Sequence, residues 1–235
     1  IEYPGDLNRI ILLGPSHRGR LEPPLQMTSF GELETPLGPL QCAPGHPAGL
    51  AGGLLDGTVD CQEHSLEMQF PFIKYVEKAR KKGPIEVTPC LIGHPTPRQM
   101  IQYGKAIARG LLEDESAVLV ISSDFCHWGH GYNYIPDMSP YAGPEAPELW
   151  QQIQAMDQQA HQCISQGYDQ FDAYLEQTGN TICGQFPIRI ALRVVEELGA
   201  SGRQGKWIWL HYEQSSNITD RRGSSVSYTA AVYSV

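Results

Sequence analysis

Three short segments place groups that can bind a metal or move a proton where apolar runs give way to loop-like sequence. They are Gly14-Pro15-Ser16-His17, Ser122-Ser123-Asp124-Phe125-Cys126-His127-Trp128-Gly129, and Asn180-Thr181-Ile182-Cys183-Gly184. A fourth, Glu63-His64-Ser65-Leu66-Glu67, opens a helical pattern. The imidazole of His17 and the thiolate of Cys183 are good ligands for iron, copper or zinc. Asp124 and His64 suit a role in orienting a metal-bound imidazole through hydrogen bonds. His127 suits proton transfer, because an unperturbed imidazole titrates at about 6.5. Each residue also has a plainer reading. His17 fits a strand-end residue bonded to backbone, Asp124 a turn residue, Cys183 a buried apolar thiol, and Glu67 an acid favoured at a helix N-terminus. The joint placement of all four segments at element ends is what argues for a shared pocket. A nucleophile elbow, a phosphate-binding P-loop and a dinucleotide fingerprint are all absent from the sequence, which argues against hydrolase, nucleotidase and dehydrogenase readings.

The elements that must position these residues follow from apolar periodicity. Asn8–Gly14, Ile85–Ile92 and Ala117–Ser122 read as buried strands. Ser65–Lys82 reads as a helix with one apolar stripe, Leu66, Phe70, Ile73 and Val76, which Pro71 is expected to kink or restart. Further helices are expected over Pro97–Leu112, Pro147–Ile164, Gln170–Gln177 and Pro187–Leu198, and final strands over Gly205–Gln214 and Ser224–Val232. Leu21–Thr58 reads as hairpins and loops, and Asp124–Gly143 as a long aromatic-rich loop. Alternating strands and helices predict an α/β fold with a mixed or mostly parallel sheet flanked by helices. The length of 235 residues predicts one domain, residues 1–235.

Composition narrows the partners. With 17 basic and 26 acidic residues the formal net charge is −9, which speaks against nucleic acid. The only dense basic cluster, Lys78, Arg80, Lys81 and Lys82, ends a helical pattern, where positive charge is favourable. No apolar run approaches the roughly 20 residues needed to cross a bilayer, so no membrane insertion is expected. The six cysteines, Cys42, Cys61, Cys90, Cys126, Cys163 and Cys183, form no CxxC pair and predict reduced thiols. The chain begins at Ile1 rather than Met and enters a buried-type strand almost at once, so truncation is expected.

The segments ILLGPSH, EHSLEMQFPF, VISSDFCHWG, NTICGQFPI and QSSN…GSSVSYTAA, in this order, resemble the Memo family from Asn8 to Val235. The resemblance implies a fold like that of class III extradiol dioxygenases. Those enzymes hold iron by two histidines and a glutamate; the family places a cysteine where the glutamate would be. By motif match the resemblance implies metal ligands His17 and Cys183, catalytic residues His127 and Asp124, and His64 and Glu67 near the pocket. It implies iron or copper as cofactor. A metal-dependent redox role is the leading expectation. The alternative is a non-enzymatic adaptor in cell-motility signalling that binds phosphotyrosine-type peptides or receptor-signalling partners. Strict ring cleavage is not expected, because a thiolate replaces the carboxylate. The expected location is the cytoplasm, with the nucleus second.

The family's Pro-His-Ala-Gly motif, which supplies a further histidine, does not precede His17. The look-alike Ala43–Gly49 follows it, and His46 is given no ligand role. The reading therefore expects the family's N-terminal strand to be missing. It also expects that strand to have packed beside Asn8–Gly14, leaving an uncovered edge there and weakening metal binding.

Overall fold

The computed structural model describes residues 6–42, 49–80, 82–145 and 147–235. His46 and Lys81, both considered above, lie outside the described residues. The chain divides into two compact units, residues 1–122 with 186–198, and residues 123–185 with 199–235.

The first unit is built on a mixed, mostly parallel sheet. Its longest strands are β1 (Arg9–Pro15), β6 (Glu86–Ile92) and β7 (Ala117–Ile121). Four short strands complete it: β2 (Leu25–Met27), β3 (Glu32–Leu33), β4 (Leu40–Cys42) and β5 (Gly53–Leu54). The path runs β3-β4-β6-β1-β7, with β2 joining β6 and β5 joining β2. Strand β1 pairs in parallel with β6 on one side and with β7 on the other. The expectation of an uncovered edge at Asn8–Gly14 is therefore wrong. The strand is central, and Ile10 to Leu13 are buried on both faces, as a continuous apolar run in a parallel strand should be.

Pro89 sits in β6 although proline cannot donate to a ladder. The far side of β6 is shared by two partners. Strand β4 pairs with Glu86 and Val87, and β2 pairs with Cys90, Leu91 and Ile92. Thr88 and Pro89 fall between them, so the missing N–H costs no bond on that side.

The region Leu21–Thr58 thus carries β2 to β5, and the short helix α1 (Gly57–Gln62), capped by Asp56, follows it unforeseen. Helix α2 is shorter than expected, Phe70–Arg80, preceded by a 3₁₀ turn over Glu67–Gln69. Pro71 occupies its first turn, where a missing N–H is harmless, so it starts the helix rather than kinking it. Helix α3 (Pro97–Glu113) opens with a capping box between Thr96 and Gln99. Gly104 in α3 lets the chain approach closely, since a Cβ there would lie 2.5 Å from the Cβ of Arg193. Leu7, Ile10, Leu12, Leu40, Ile73, Val87 and Leu91 are among the residues of the unit's apolar core.

The second unit packs α4 (Leu149–Gln166) and α5 (Tyr168–Thr178) with a three-stranded antiparallel sheet. That sheet is ordered β8-β10-β9, comprising β8 (His127–Trp128), β9 (Lys206–Gln214) and β10 (Ser225–Ser234). Helix α6 (Gln185–Ala200) gives residues 186–198 to the first unit. The stretch read as a loop, Asp124–Gly143, contains β8 and two 3₁₀ turns, at His130–Tyr132 and Ser139–Tyr141. Strand β8 is only two residues long and is held by β10 through Ser225 and Val226, a long-range pairing that local pattern does not reveal. All six cysteines are unpaired thiols. Among the described residues, no helix is long and apolar enough to cross a membrane.

Candidate metal centre

In the first unit the site-forming residue is Glu63. Strand β1 ends at Pro15, and the Ser65 hydroxyl donates to the Pro15 carbonyl at 2.8 Å, tying the Glu63–Leu66 turn to the strand end. Glu63 is 4% exposed and its carboxylate faces His17. The backbone N–H of His17 donates to Oε2 at 2.6 Å, and the His17 Nδ1 lies 2.9 Å from Oε1. The same Oε1 accepts from the backbone N–H groups of His64 at 2.9 Å and Ser65 at 3.1 Å. Burial by itself raises the Glu63 pKa. The bonds from the His17 side chain and backbone, the Ser65 N–H and the His17 charge outweigh it and hold the group at about 2. The His17 and His64 rings stack with centroids 4.7 Å apart. Ligand atoms of His17, Glu63 and His64 lie within 4.8 Å of one another. Glu67, expected near the pocket, lies in the 3₁₀ turn, exposed and outside this group.

In the second unit Asp124, His127 and Cys183 bring one ligand atom each within 4.8 Å of one another. Cys183 Sγ accepts from the backbone N–H of Asp124 at 3.2 Å. The Ser123 hydroxyl, which accepts from the Gly184 N–H at 3.0 Å, lies 4.0 Å from the same sulfur. His127 is gripped on both backbone and ring. Its N–H donates to Thr181 Oγ1 at 2.8 Å, and that hydroxyl donates back to the His127 carbonyl at 3.0 Å. Its Nδ1 lies 2.9 Å from the carbonyl oxygens of both Phe125 and Thr181. Carbonyl oxygens only accept, so Nδ1 carries the proton. Nε2, 3.8 Å from Asp124 Oδ2, is then the nitrogen able to bind a cation or exchange a proton.

Asp157 of α4 explains why two loops distant in sequence meet here. It is fully buried, and it accepts from the Cys126 N–H at 3.3 Å, Asn180 Nδ2 at 3.1 Å and Tyr212 Oη at 3.0 Å. Burial pushes its pKa up, opposed by these bonds and by Ser227. One carboxylate thus fastens the loop carrying His127, the loop carrying Cys183, and β9 to a single point. Sequence reasoning missed Glu63, Asp157 and Thr181. For Asp157 there was a signal, an acid set within the apolar stripe Ile153, Met156, Ala160 and Ile164.

Every sequence-predicted site residue therefore falls at an element end. The structure brings Asp124, His127 and Cys183 together in one unit, and His17 and His64 together in the other, with Glu63 between them. The fold is α/β with a mostly parallel main sheet, and its site loops gather imidazole, thiolate and carboxylate. A sequence profile described as "Memo: Memo-like protein" matches residues 1–232, and the chain belongs to this Memo-like family. It is similar to a MEMO1 family protein of Saccharomyces cerevisiae, 30% identical over 278 residues, covering 98% of this chain and 80% of that one. It is 34% identical over 232 residues to the memo-1 homolog of Caenorhabditis elegans, covering 96% of this chain and 64% of that one. It is 32% identical over 239 residues to human Protein MEMO1, covering 99% and 77%.

Proposed function

We propose that this protein binds a redox-active first-row metal, iron or copper, and serves a metal-dependent redox role. The observation that carries the reading is the convergence of Asp124, His127 and Cys183, a carboxylate, an imidazole and a thiolate with ligand atoms within 4.8 Å. That donor set fits a transition metal, because thiolate favours Cu(I) and imidazole suits iron and copper alike. Cys183 in the second group and His17 in the first are the proposed protein ligands. His127 holds or delivers a proton at Nε2, and Asp124 stabilises the ring when it is charged. A bound metal would supply electron transfer and Lewis acidity. A thiolate ligand also implies a reducing compartment, and we assign the protein to the cytoplasm with the nucleus second.

The test is anaerobic titration of Fe(II) and Cu(I) into the purified chain and into Cys183→Ala, His17→Ala and Asp124→Ala. The expected result is tight metal binding in the parent, weakened more than tenfold by Cys183→Ala at the group of the second unit and by His17→Ala at the group of the first. Parent and Cys183→Ala binding alike would overturn the reading. Tight, metal-independent capture of a phosphotyrosine peptide by a chain that binds no metal would favour the adaptor role instead.

A further inference from the structure

We propose that Glu63 is a positioning residue that fixes the neutral His17 ring as its Nδ1–H tautomer, leaving Nε2 as the ligating nitrogen. The ligation half of this statement rests on the metal-binding reading above; the tautomer half does not.

Glu63 is itself a poor metal ligand despite its place in the His17, Glu63, His64 group. Its Oε1 already accepts from the His17 ring, His64 N–H and Ser65 N–H, and its Oε2 accepts from the His17 N–H. A carboxylate surrounded by four N–H donors is built to remain an anion and an acceptor. Facing such an acceptor at 2.9 Å, His17 Nδ1 has to carry the hydrogen. Neutral histidine in water prefers the other tautomer, so the contact selects the form that solvent disfavours. The grip is also rigid. Backbone and ring of His17 are bonded to the two oxygens of one carboxylate, which removes the ring's freedom to flip. Its own position is secured from the other side, because Ser65 donates to Glu63 through its N–H and to Pro15 at the end of β1 through its hydroxyl. A carboxylate behind the non-ligating nitrogen is the arrangement that orients metal-bound imidazoles and raises their basicity, and its loss typically lowers metal affinity about 10- to 100-fold.

The experiment uses the full chain labelled with ¹⁵N, metal-free, at a pH where histidine is neutral. Two-bond ¹H–¹⁵N spectra report the tautomer of each ring, and the His17 signals are identified by their loss in His17→Gln. The expected parent spectrum has a protonated Nδ1 and an unprotonated Nε2 for His17. Nε2–H, or an averaged mixture, would overturn the proposal, and this readout needs no Glu63 variant to fold. The second measurement is cobalt(II) binding by visible absorption in the parent, Glu63→Gln and Glu63→Ala. Glu63→Gln keeps an oxygen acceptor but loses the charge, so it should fall between the parent and Glu63→Ala in both tautomer purity and affinity. Equal cobalt affinity in parent and Glu63→Gln would overturn the positioning role. A parent that binds no cobalt, iron or copper would overturn the metal reading, while the spectrum of the parent would still decide the tautomer.

Discussion

The backbone N–H of Asp124 points at the sulfur of Cys183, 3.2 Å away. A main-chain donor aimed at a side-chain sulfur links two loops 59 residues apart and gives Cys183 a structural duty besides any ligand role. Cys183→Ala leaves that donor unanswered and should cost about 1–3 kcal/mol. Cys183→Ser keeps an acceptor and should cost less. Urea denaturation of both variants checks this ordering. A serine variant less stable than the alanine variant would mean that the sulfur packs rather than accepts.

Asp157→Ala should be among the most damaging single changes in the second unit. It would strand three buried donors, from Cys126, Asn180 and Tyr212. Each buried donor left unsatisfied costs roughly 1–3 kcal/mol, so the loss of a shared acceptor is large. Asp157→Asn retains one oxygen and should recover part of that. The readout is the unfolding midpoint in urea, and a change below about 1 kcal/mol would contradict the anchoring role.

His161 makes the second unit sensitive to acid. Burial lowers its pKa to about 4, and the ring stacks on Trp209 at 3.9 Å and lies 2.9 Å from Thr229 Oγ1. A depressed imidazole means that the unfolded chain takes up the proton first. The contribution is therefore complete above about pH 6.5 and is lost as pH falls from there towards 4. The loss is at most about 3 kcal/mol by pH 4. Unfolding free energies at pH 7 and pH 5 should differ less in His161→Gln than in the parent. An identical pH dependence in the two would remove His161 as the source.

His127→Ala removes the Nδ1–H shared by the Phe125 and Thr181 carbonyls, so a modest destabilisation of about 1–2 kcal/mol is expected rather than none. Any oxygen-coupled turnover of the metal-loaded chain should fall at least ~10²-fold, the usual contribution of a positioned proton-transfer group. Oxygen uptake that stays at the parent rate would take His127 out of the chemistry.

Gly104→Ala tests the contact between α3 and α6. In an exposed helix the change would stabilise by about 1 kcal/mol. Here the new methyl would sit 2.5 Å from Arg193 Cβ and 3.1 Å from its carbonyl carbon, both parts of a helix that cannot simply swing aside. The overpacking cost of about 1–3 kcal/mol should win. Thermal unfolding gives the sign directly, and a raised midpoint would mean that the helices separate easily.

The sequence was most legible where a local rule and the packing agree. Residues 8–14 and 85–92 read as strands because their apolar runs serve strands buried on both faces, and 117–122 reads as one from its β-branched run although β7 is only half-buried. Strand β9 shows half-buried residues alternating with exposed ones on either side of a slip at Leu210 and His211, which is the period of a sheet with one face covered. Less was legible where a partner far along the chain decides the outcome. That β1 is central cannot be read from residues 8–14, since a buried strand and an edge strand can carry the same run. Pro71 illustrates a rule with two outcomes, and the turn ahead of it selected helix initiation over a kink. For the site, the types and spacing of His17, Asp124, His127 and Cys183 were visible. The role of Glu63 is not legible in its motif, because nothing local shows which way a buried carboxylate faces.

The gap at Thr88 and Pro89 in the pairing on the far side of β6 lets two parts of the first unit open separately. Strands β4 and β2 grip β6 at separate places, in opposite directions, with no ladder between them. Either can lift away without peeling the other, and neither need disturb β1, which is bonded on both sides. Amide hydrogen exchange should then resolve three classes in this sheet. The Cys42 and Met27 neighbourhoods would exchange through two independent local openings, each at its own rate. The amides of Ile11 to Leu13 would exchange only with opening of the whole unit. A chain segment anchored in this fashion can change length or sequence between its two grips while the central strands, and the turn that carries His17, stay where they are.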